Sequence, residues 1–353
     1  TYRRFKPGDG VDSVAELDMA AKPYSCFDRR LIDLQKEFCT QLWTHVNPYT
    51  GLAYKDDPAV ALTEIVNENH MVIWPAVLEP YRTRLEDRYR AWAAGRGVTL
   101  PDAKVDFAVR DETMMRFFAH VHKEYYGEMY AHLRSLGVRV PITGNNWGYP
   151  GFSEVLSSED CDFMDHHPYW DMWSDTRGNN LPMLAQKEHV WAAQCARTRL
   201  LDRPFFVSEW DQIWPNEWRA ESPLMLAALS AFQEWSGTTI HTYRYRNNDP
   251  KDRMGGVVMY GVGYRVNFDT FNDPAKFGLF YQAALLFRKG HVAPAKQSVG
   301  LALKEADLFA PLVRGGPRVP TPALDVLSEQ HRAGLLLPGQ KTETDETIGS
   351  DAP

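Results

Sequence analysis

Five apolar runs, each closing on polar or aromatic residues and set among stretches of helical spacing, restrict this chain more than any other feature. They are AVALTEIVNEN (59–69), VRVPITGNNW (138–147), CDFMDHHPYW (161–170), PFFVSEW (204–210) and TTIHTYRYRN (238–247). Apolar residues recurring every 3.6 positions predict helices over 28–46, 112–137, 184–202, 222–237 and 276–290. This alternation predicts a parallel sheet, because parallel strands need crossover helices and, covered on both faces, read as nearly continuous apolar runs. An open doubly wound sheet would carry a glycine-rich phosphate turn after an early strand, and the chain has neither GxGxxG nor a P-loop. A barrel is the better expectation. Its chemistry belongs at the C-terminal strand ends, where the polar residues of these runs fall.

Bulk properties narrow the partners. The chain has 353 residues, room for a barrel of roughly 250 residues and an extension. Its 39 basic residues against 46 acidic ones give a formal charge of -7, with no Lys/Arg stripe, so no nucleic-acid partner is expected and a neutral ligand suits it better. No apolar run reaches the roughly 18 residues of a membrane span, so no membrane partner is expected either. Cys26, Cys39, Cys161 and Cys195 lie far apart without a CxxC and read as small buried hydrophobes.

Three regions are expected: a catalytic domain over 1–290, a β-containing extension over 291–340, and a disordered tail over 341–353, where KTETDETIGSDAP is polar. The insertion between 74 and 107 holds a basic, amphipathic stretch, YRTRLEDRYRAW, whose charges alternate in sign and read as a solvated face.

Two strand ends carry carboxylates. EIVNEN closes on Asn67 and Glu68, and VSEW closes on Glu209 and Trp210. Between them HHPYW contains His167 and Tyr169. In this order the residues resemble the signatures of clan A glycoside hydrolases, and His-x-Tyr resembles family 5, the cellulase family, within that clan. The resemblance covers roughly residues 1–290 and implies a (β/α)8 TIM barrel in which the five runs are strands 4 to 8. It implies a retaining O-glycosyl hydrolase, with Glu68 as acid/base and Glu209 as nucleophile, and no cofactor or metal. On this mapping only the end of strand 3 precedes strand 4, so the barrel is expected to be N-terminally incomplete and the chain an internal fragment. An exposed sheet edge would then favour self-association and weaken the activity of the chain expressed alone. A polysaccharide hydrolase is expected to be secreted or periplasmic, although the opening TYRRFKPGDG carries no export signal.

The chemistry needs two carboxyl groups about 5–5.5 Å apart, one to attack the anomeric carbon and one to protonate the leaving oxygen. Glu68 is expected to hold its proton through burial and neighbouring charge, and Glu209 to stay ionised beside the Tyr169 hydroxyl. The resemblance gives Asn67 a hydrogen bond to the sugar 2-hydroxyl. His167, Tyr169, Asn146, Trp147, Trp170, Trp210 and Tyr243 complete the expected substrate-binding set, with Trp173 and Trp214 as further rim aromatics and Asn145 and Asp211 as further hydroxyl readers. Where the family has a strand-8 Trp, this chain has His241, Tyr243 and Tyr245.

Other readings carry less. Glu64 shares the Glu68 face and reads as a structural carboxylate. Asp165, His166 and His167 could pass for a metal cluster, but adjacent strand residues point to opposite faces. NND at 247–249 lacks the rest of a calcium loop. A non-catalytic carbohydrate-binding barrel is the alternative function, and transglycosylation by the same residues is a third. Glucan, mannan, galactan and aryl glycosides all fit the two carboxylates.

Overall fold

The computed structural model describes residues 5–6, 8–17, 21–146, 151–171, 180–186, 191–243, 268–271, 273–312 and 321–351. They fall into two compact units, Thr1–Phe163 with Glu305–Val319, and Met164–Lys304 with Pro320–Pro353.

The first unit contains α1 (Arg29–Thr44), β1 (Thr63–Val66), α2 (Tyr81–Ala94), α3 (Glu112–Ser135), β2 (Ile142–Asn145) and α4 (Phe152–Ser157). Caps fix where two of these helices begin. The Asp28 carboxylate accepts from the amides of Arg30 and Leu31, and the Asp111 carboxylate from the amide of Met114. β1 and β2 pair in parallel with Val66 opposite Asn145, which sets Asn146 at the level of the residues closing β1. Ile65 and Ile142 pack with Ile32, Tyr125, Tyr126, Met129 and Leu133 of α1 and α3 in one apolar cluster. Gly144 is required here, because a Cβ would lie 2.9 Å from the Tyr126 ring and 3.0 Å from Ser158 Oγ.

The second unit runs through β3 (Met164–Asp165), β4 (Tyr169–Trp170), α5 (Trp191–Ala196), β5 (Phe205–Val207), β6 (Asp211–Gln212), α6 (Ser222–Phe232) and β7 (Gly237–Thr238). It continues with α7 (Pro274–Phe277), α8 (Phe280–Arg288) and β8 (Ser298–Ala302). The chain then returns to the first unit for α9 (Glu305–Leu308), where Glu305 pairs with Arg116, before α10 (Pro322–Leu327), β9 (Arg332–Leu336) and β10 (Glu346–Gly349). Every pairing between these strands is parallel, in the orders β1-β2, β3-β5-β7, β4-β6 and β10-β8-β9. This is the strand and helix alternation expected of an α/β chain. Among the described residues no helix is long and apolar enough to cross a membrane.

Two features of the C-terminal region bear on the domain bounds expected from the sequence. The polar tail from 341 is not wholly irregular, because β10 adds to the open edge of β8 in register from Glu346↔Val299 to Gly349↔Ala302. Nor does a separate extension begin at 291. β8 and β9 belong to the second unit, where Leu335 N donates to Arg199 O at 2.7 Å. Gln233 ties the same region down by donating to the carbonyls of Ser328 and His331 and accepting from Ala333 N. Buried backbone groups must find partners, and these residues find theirs around α5 and α6. Of the helix predicted over 184–202 only Trp191–Ala196 is helical among the described residues, and residues 244–247 of the last predicted strand lie outside them.

Candidate active site

In the first unit the site is built around the end of β1. Glu68 has φ +46, a left-handed conformation that costs a residue with a Cβ about 1–3 kcal/mol and persists only where its surroundings over-determine it. Asn146 supplies part of that determination. Its Oδ1 accepts from the Glu68 amide at 3.0 Å, and its Nδ2 donates to Asn67 Oδ1 at 2.8 Å and to the Glu64 carboxylate. Both amide protons are committed and Asn146 is fully buried, so its side chain holds Asn67 and the Glu68 amide. Asn145 is likewise turned inward, with its side chain buried and its Oδ1 accepting from the Asn146 amide. Glu64 is half-buried, and Asn67 is exposed.

The segment beyond Glu68 has no regular structure, so side chains must satisfy its backbone. Met71 N donates to His122 Nε2 at 3.1 Å and Ile73 N to His70 Nδ1 at 3.3 Å, while the Asn69 side chain is itself held by Nδ2 donating to Ser25 Oγ at 2.8 Å. The other ring nitrogen of His122 lies 2.7 Å from Glu154 Oε1. Since Nε2 accepts, the His122 proton sits on Nδ1 and is donated to the carboxylate. Burial raises the Glu154 carboxyl, but His122 and His70 beside it outweigh that and hold it below its ordinary value. His70 is pushed down to about 4, chiefly by burial, against the pull of Glu154. Sequence reasoning missed this buried group. His122 falls on the apolar stripe of α3 with Phe118 and Tyr125 and reads as another core position.

In the second unit Glu209 follows β5, with Tyr169 of β4 beside it. Tyr169 Oη donates to Glu209 Oε2 at 2.5 Å, His167 Nδ1 lies 3.5 Å from the same oxygen, and His241 Nδ1 lies 3.8 Å from Oε1. His167 also meets Ser208 Oγ through Nε2 at 2.8 Å. The strand register slips by one residue between the Asp165↔Phe206 and Tyr169↔Asp211 pairings. One additional residue is thereby accommodated about Ser208 and Glu209, the manner in which a bulge re-aims a side chain. Asp165 Oδ1 accepts from the amides of Ser208 at 2.9 Å and His166 at 2.7 Å, so this carboxylate holds backbone. Burial pushes Asp165 up to about 6, although its hydrogen bonds with Ser208 oppose the shift.

Two members of the expected aromatic set are buried. Trp170 and Trp210 are 7% and 3% exposed. Trp170 Nε1 donates to Leu181 O, and Trp210 stacks on Phe280 and meets Trp191 edge-on. Trp210, directly after Glu209, is directed into the interior, where these two rings enclose it. Asp211 is buried against Lys276, with Nζ at 2.8 and 2.9 Å from its two oxygens, and is no hydroxyl reader. Tyr243 is exposed beside Phe271 and Phe277, the arrangement an apolar sugar face would use. Trp147, Trp173, Tyr245 and the NND at 247–249 lie outside the described residues.

No protein-family model matches the chain. No curated protein matches it significantly. Solved structures similar to it include the endo-β-1,4-mannanase from Thermotoga petrophila, at 15% identity and a TM-score of 0.47, covering 79% of this chain and 56% of that one. The glycoside hydrolase family 5 mannosidase from Rhizomucor miehei is similar at 11% identity and a TM-score of 0.49, covering 76% of this chain and 61% of that one. The chain therefore spans less than two thirds of the length of either neighbour.

Proposed function

We propose that this chain carries a retaining glycosidase site on a (β/α)8 barrel, with Glu209 as nucleophile and Glu68 as acid/base, acting on a β-linked carbohydrate such as a glucan, mannan or galactan. The observation that carries the reading is the Tyr169 hydroxyl donating to Glu209 Oε2 at 2.5 Å, with His167 beside the same oxygen. A charge-assisted donor orients the carboxylate and stabilises its negative charge before attack. The strained conformation of Glu68, held through its own amide, supports a second functional carboxylate.

In the first step a Glu209 oxygen attacks the anomeric carbon while the bond to the leaving oxygen breaks and Glu68 gives that oxygen its proton. Asn67 donates to the sugar 2-hydroxyl as charge develops at the anomeric centre. In the second step Glu68, now a carboxylate, takes a proton from water as its oxygen attacks the anomeric carbon and the ester to Glu209 breaks. Two inversions at one carbon retain its configuration.

The test is a panel of 2,4-dinitrophenyl β-glucoside, β-mannoside and β-galactoside, followed by trapping with the 2-deoxy-2-fluoro analogue of the best substrate. Turnover and a covalent label on the peptide containing Glu209 are expected, both lost in Glu209→Ala. Binding of oligosaccharides without turnover would replace the enzyme with the carbohydrate-binding reading, and a label on another residue would reassign the nucleophile.

A further inference from the structure

The first unit contains a buried His–Glu pair with no part in the two-carboxylate chemistry. His122 is fully buried in the middle of α3, and Glu154, 4% exposed, sits in the first turn of α4. A core position on an apolar stripe would pack equally well with leucine or phenylalanine, so a buried imidazole and carboxylate need a reason. The reason lies in what the imidazole holds. Met71 is fully buried, its amide belongs to no helix or strand, and His122 Nε2 is its acceptor. Glu154 accepts the hydrogen bond from His122 Nδ1–H and thereby keeps Nε2 free to accept.

Met71 lies three residues beyond Glu68. The segment between is pinned at both ends: Asn146 holds the Glu68 amide on the strand side, and His122 holds the Met71 amide on the far side. Ser25 holds the Asn69 side chain between them, and Arg110 binds Val72 O beyond, with Nε at 2.5 Å. A residue with a Cβ relaxes from φ +46 unless both flanks are fixed, and relaxation would swing its side chain.

We infer that His122, oriented by Glu154, is a positioning residue for Glu68: it fixes the Met71 amide and so maintains the strained backbone that aims the Glu68 carboxyl. The inference rests on the proposed role of Glu68 as acid/base and names a device of that same site. Its consequence is selective. Misplacing a general acid by an ångström costs on the order of 10²-fold where protonation of the leaving group limits the rate. An activated leaving group that departs without a proton is spared.

The experiment compares kcat/KM for the 2,4-dinitrophenyl glycoside with that for the phenyl glycoside of the same sugar, in the wild-type chain, Glu68→Ala, His122→Leu, His122→Gln and Glu154→Gln. His122→Leu is expected to lose about 30-fold or more on the phenyl glycoside and less than about threefold on the dinitrophenyl glycoside, a muted form of the Glu68→Ala pattern. His122→Gln, whose carbonyl can reach the Nε2 position and accept from Met71 N, is expected to recover to within about threefold of wild type. Glu154→Gln keeps an acceptor for Nδ1–H but not its charge, and is expected to show the same selective loss, about tenfold on the phenyl glycoside. It also serves if His122→Leu does not fold.

Equal losses on both substrates, or none in either folded variant, would overturn the inference while leaving the glycosidase reading intact. Absence of turnover in the wild-type chain, or no leaving-group dependence in Glu68→Ala, would instead remove the reading on which it rests. A second readout needs no turnover. Amide exchange at Met71 is expected to accelerate at least tenfold in Glu154→Gln or His122→Leu, and unchanged exchange would also overturn the inference.

Discussion

Each unit devotes one buried carboxylate to holding backbone beside its candidate catalytic glutamate, and the two do so differently. In the first unit Glu154 acts at one remove, through His122 onto the amide of Met71. In the second Asp165 accepts directly from the amide of Ser208, immediately before Glu209. The glutamates differ in a complementary way. Glu68 is fixed through its own main chain, whereas Glu209 is met by Tyr169, His167 and His241 at the carboxylate itself. A proton donor must be aimed, and backbone constraint aims it. A nucleophile must keep its charge oriented towards one atom, and hydrogen-bond donors on that charge do so.

The sharpest way to break this comparison is to remove the carboxylates themselves. Glu209→Ala is expected to lower turnover by about 10⁴-fold or more on every substrate, because the loss of a nucleophile is not repaired by a better leaving group. Glu68→Ala is expected to lose about 10²–10⁴-fold in kcat/KM on phenyl glycosides and far less on dinitrophenyl glycosides, whose kcat falls only through the second step. Steady-state rates across a series of leaving-group acidities measure both, and parallel plots for the two variants would erase the distinction between the halves.

Packing supplies the next largest effect. Trp210 anchors the backbone after Glu209 by burying its ring against Trp191 and Phe280, where Asn146 anchors Glu68 by hydrogen bonds. Trp210→Ala is expected to cost about 3–5 kcal/mol of stability in chemical denaturation. A sugar platform would instead show unchanged stability and a raised KM.

These residues also mark how far the sequence could be read. The five runs and most of the helices were legible because strand and helix periods are local, and the glutamates stood out because a carboxylate ending an apolar run is conspicuous. Facing was not legible. Trp210 and Asn146 sit beside expected site residues in the chain, yet neighbours in irregular backbone face different ways and a committed amide looks like an available one. The His122–Glu154 pair was invisible because α3 and α4 meet only through folding. β10 was missed because an edge strand with one neighbour needs few apolar residues, and TETDETIG has the composition of a tail.

Acid should separate the two halves with opposite signs. His70 titrates at about 4 in the folded first unit and near 6.5 unfolded, so below pH 6.5 the unfolded chain binds more protons and stability falls as pH drops towards 4. Glu154, depressed in the folded state, acts in the same direction at the lower end of that window. Asp165 is raised to about 6 from 3.8, so its contribution is fully present below pH 3.8 and is lost as pH rises through 6. The His70 effect is about 3 kcal/mol, from 1.36 kcal/mol per pH unit. Hydrogen exchange at pH 7 and pH 4.5, corrected for intrinsic rates, should show protection falling around residues 69–73 and rising around 205–208. A common direction in both segments would count against the two buried settings.

The smallest effect bears most directly on how each glutamate is held. Tyr169→Phe removes one hydroxyl from Glu209 and leaves the ring against Phe268, so the fold should be unchanged. A hydrogen bond to a charged group contributes about 1.5–3 kcal/mol, which places the expected loss at about 10–100-fold in kcat/KM. Because the donor touches the nucleophile, that loss should appear with dinitrophenyl and phenyl glycosides alike. Asn146→Leu should do the reverse. It removes the Asn146 acceptor from the Glu68 amide and the Asn146 donor from the Glu64 carboxylate, so its loss should grow as the leaving group worsens. If both variants gave the same leaving-group dependence, main-chain and side-chain support would be interchangeable. The strained φ of Glu68 would then have no chemical use.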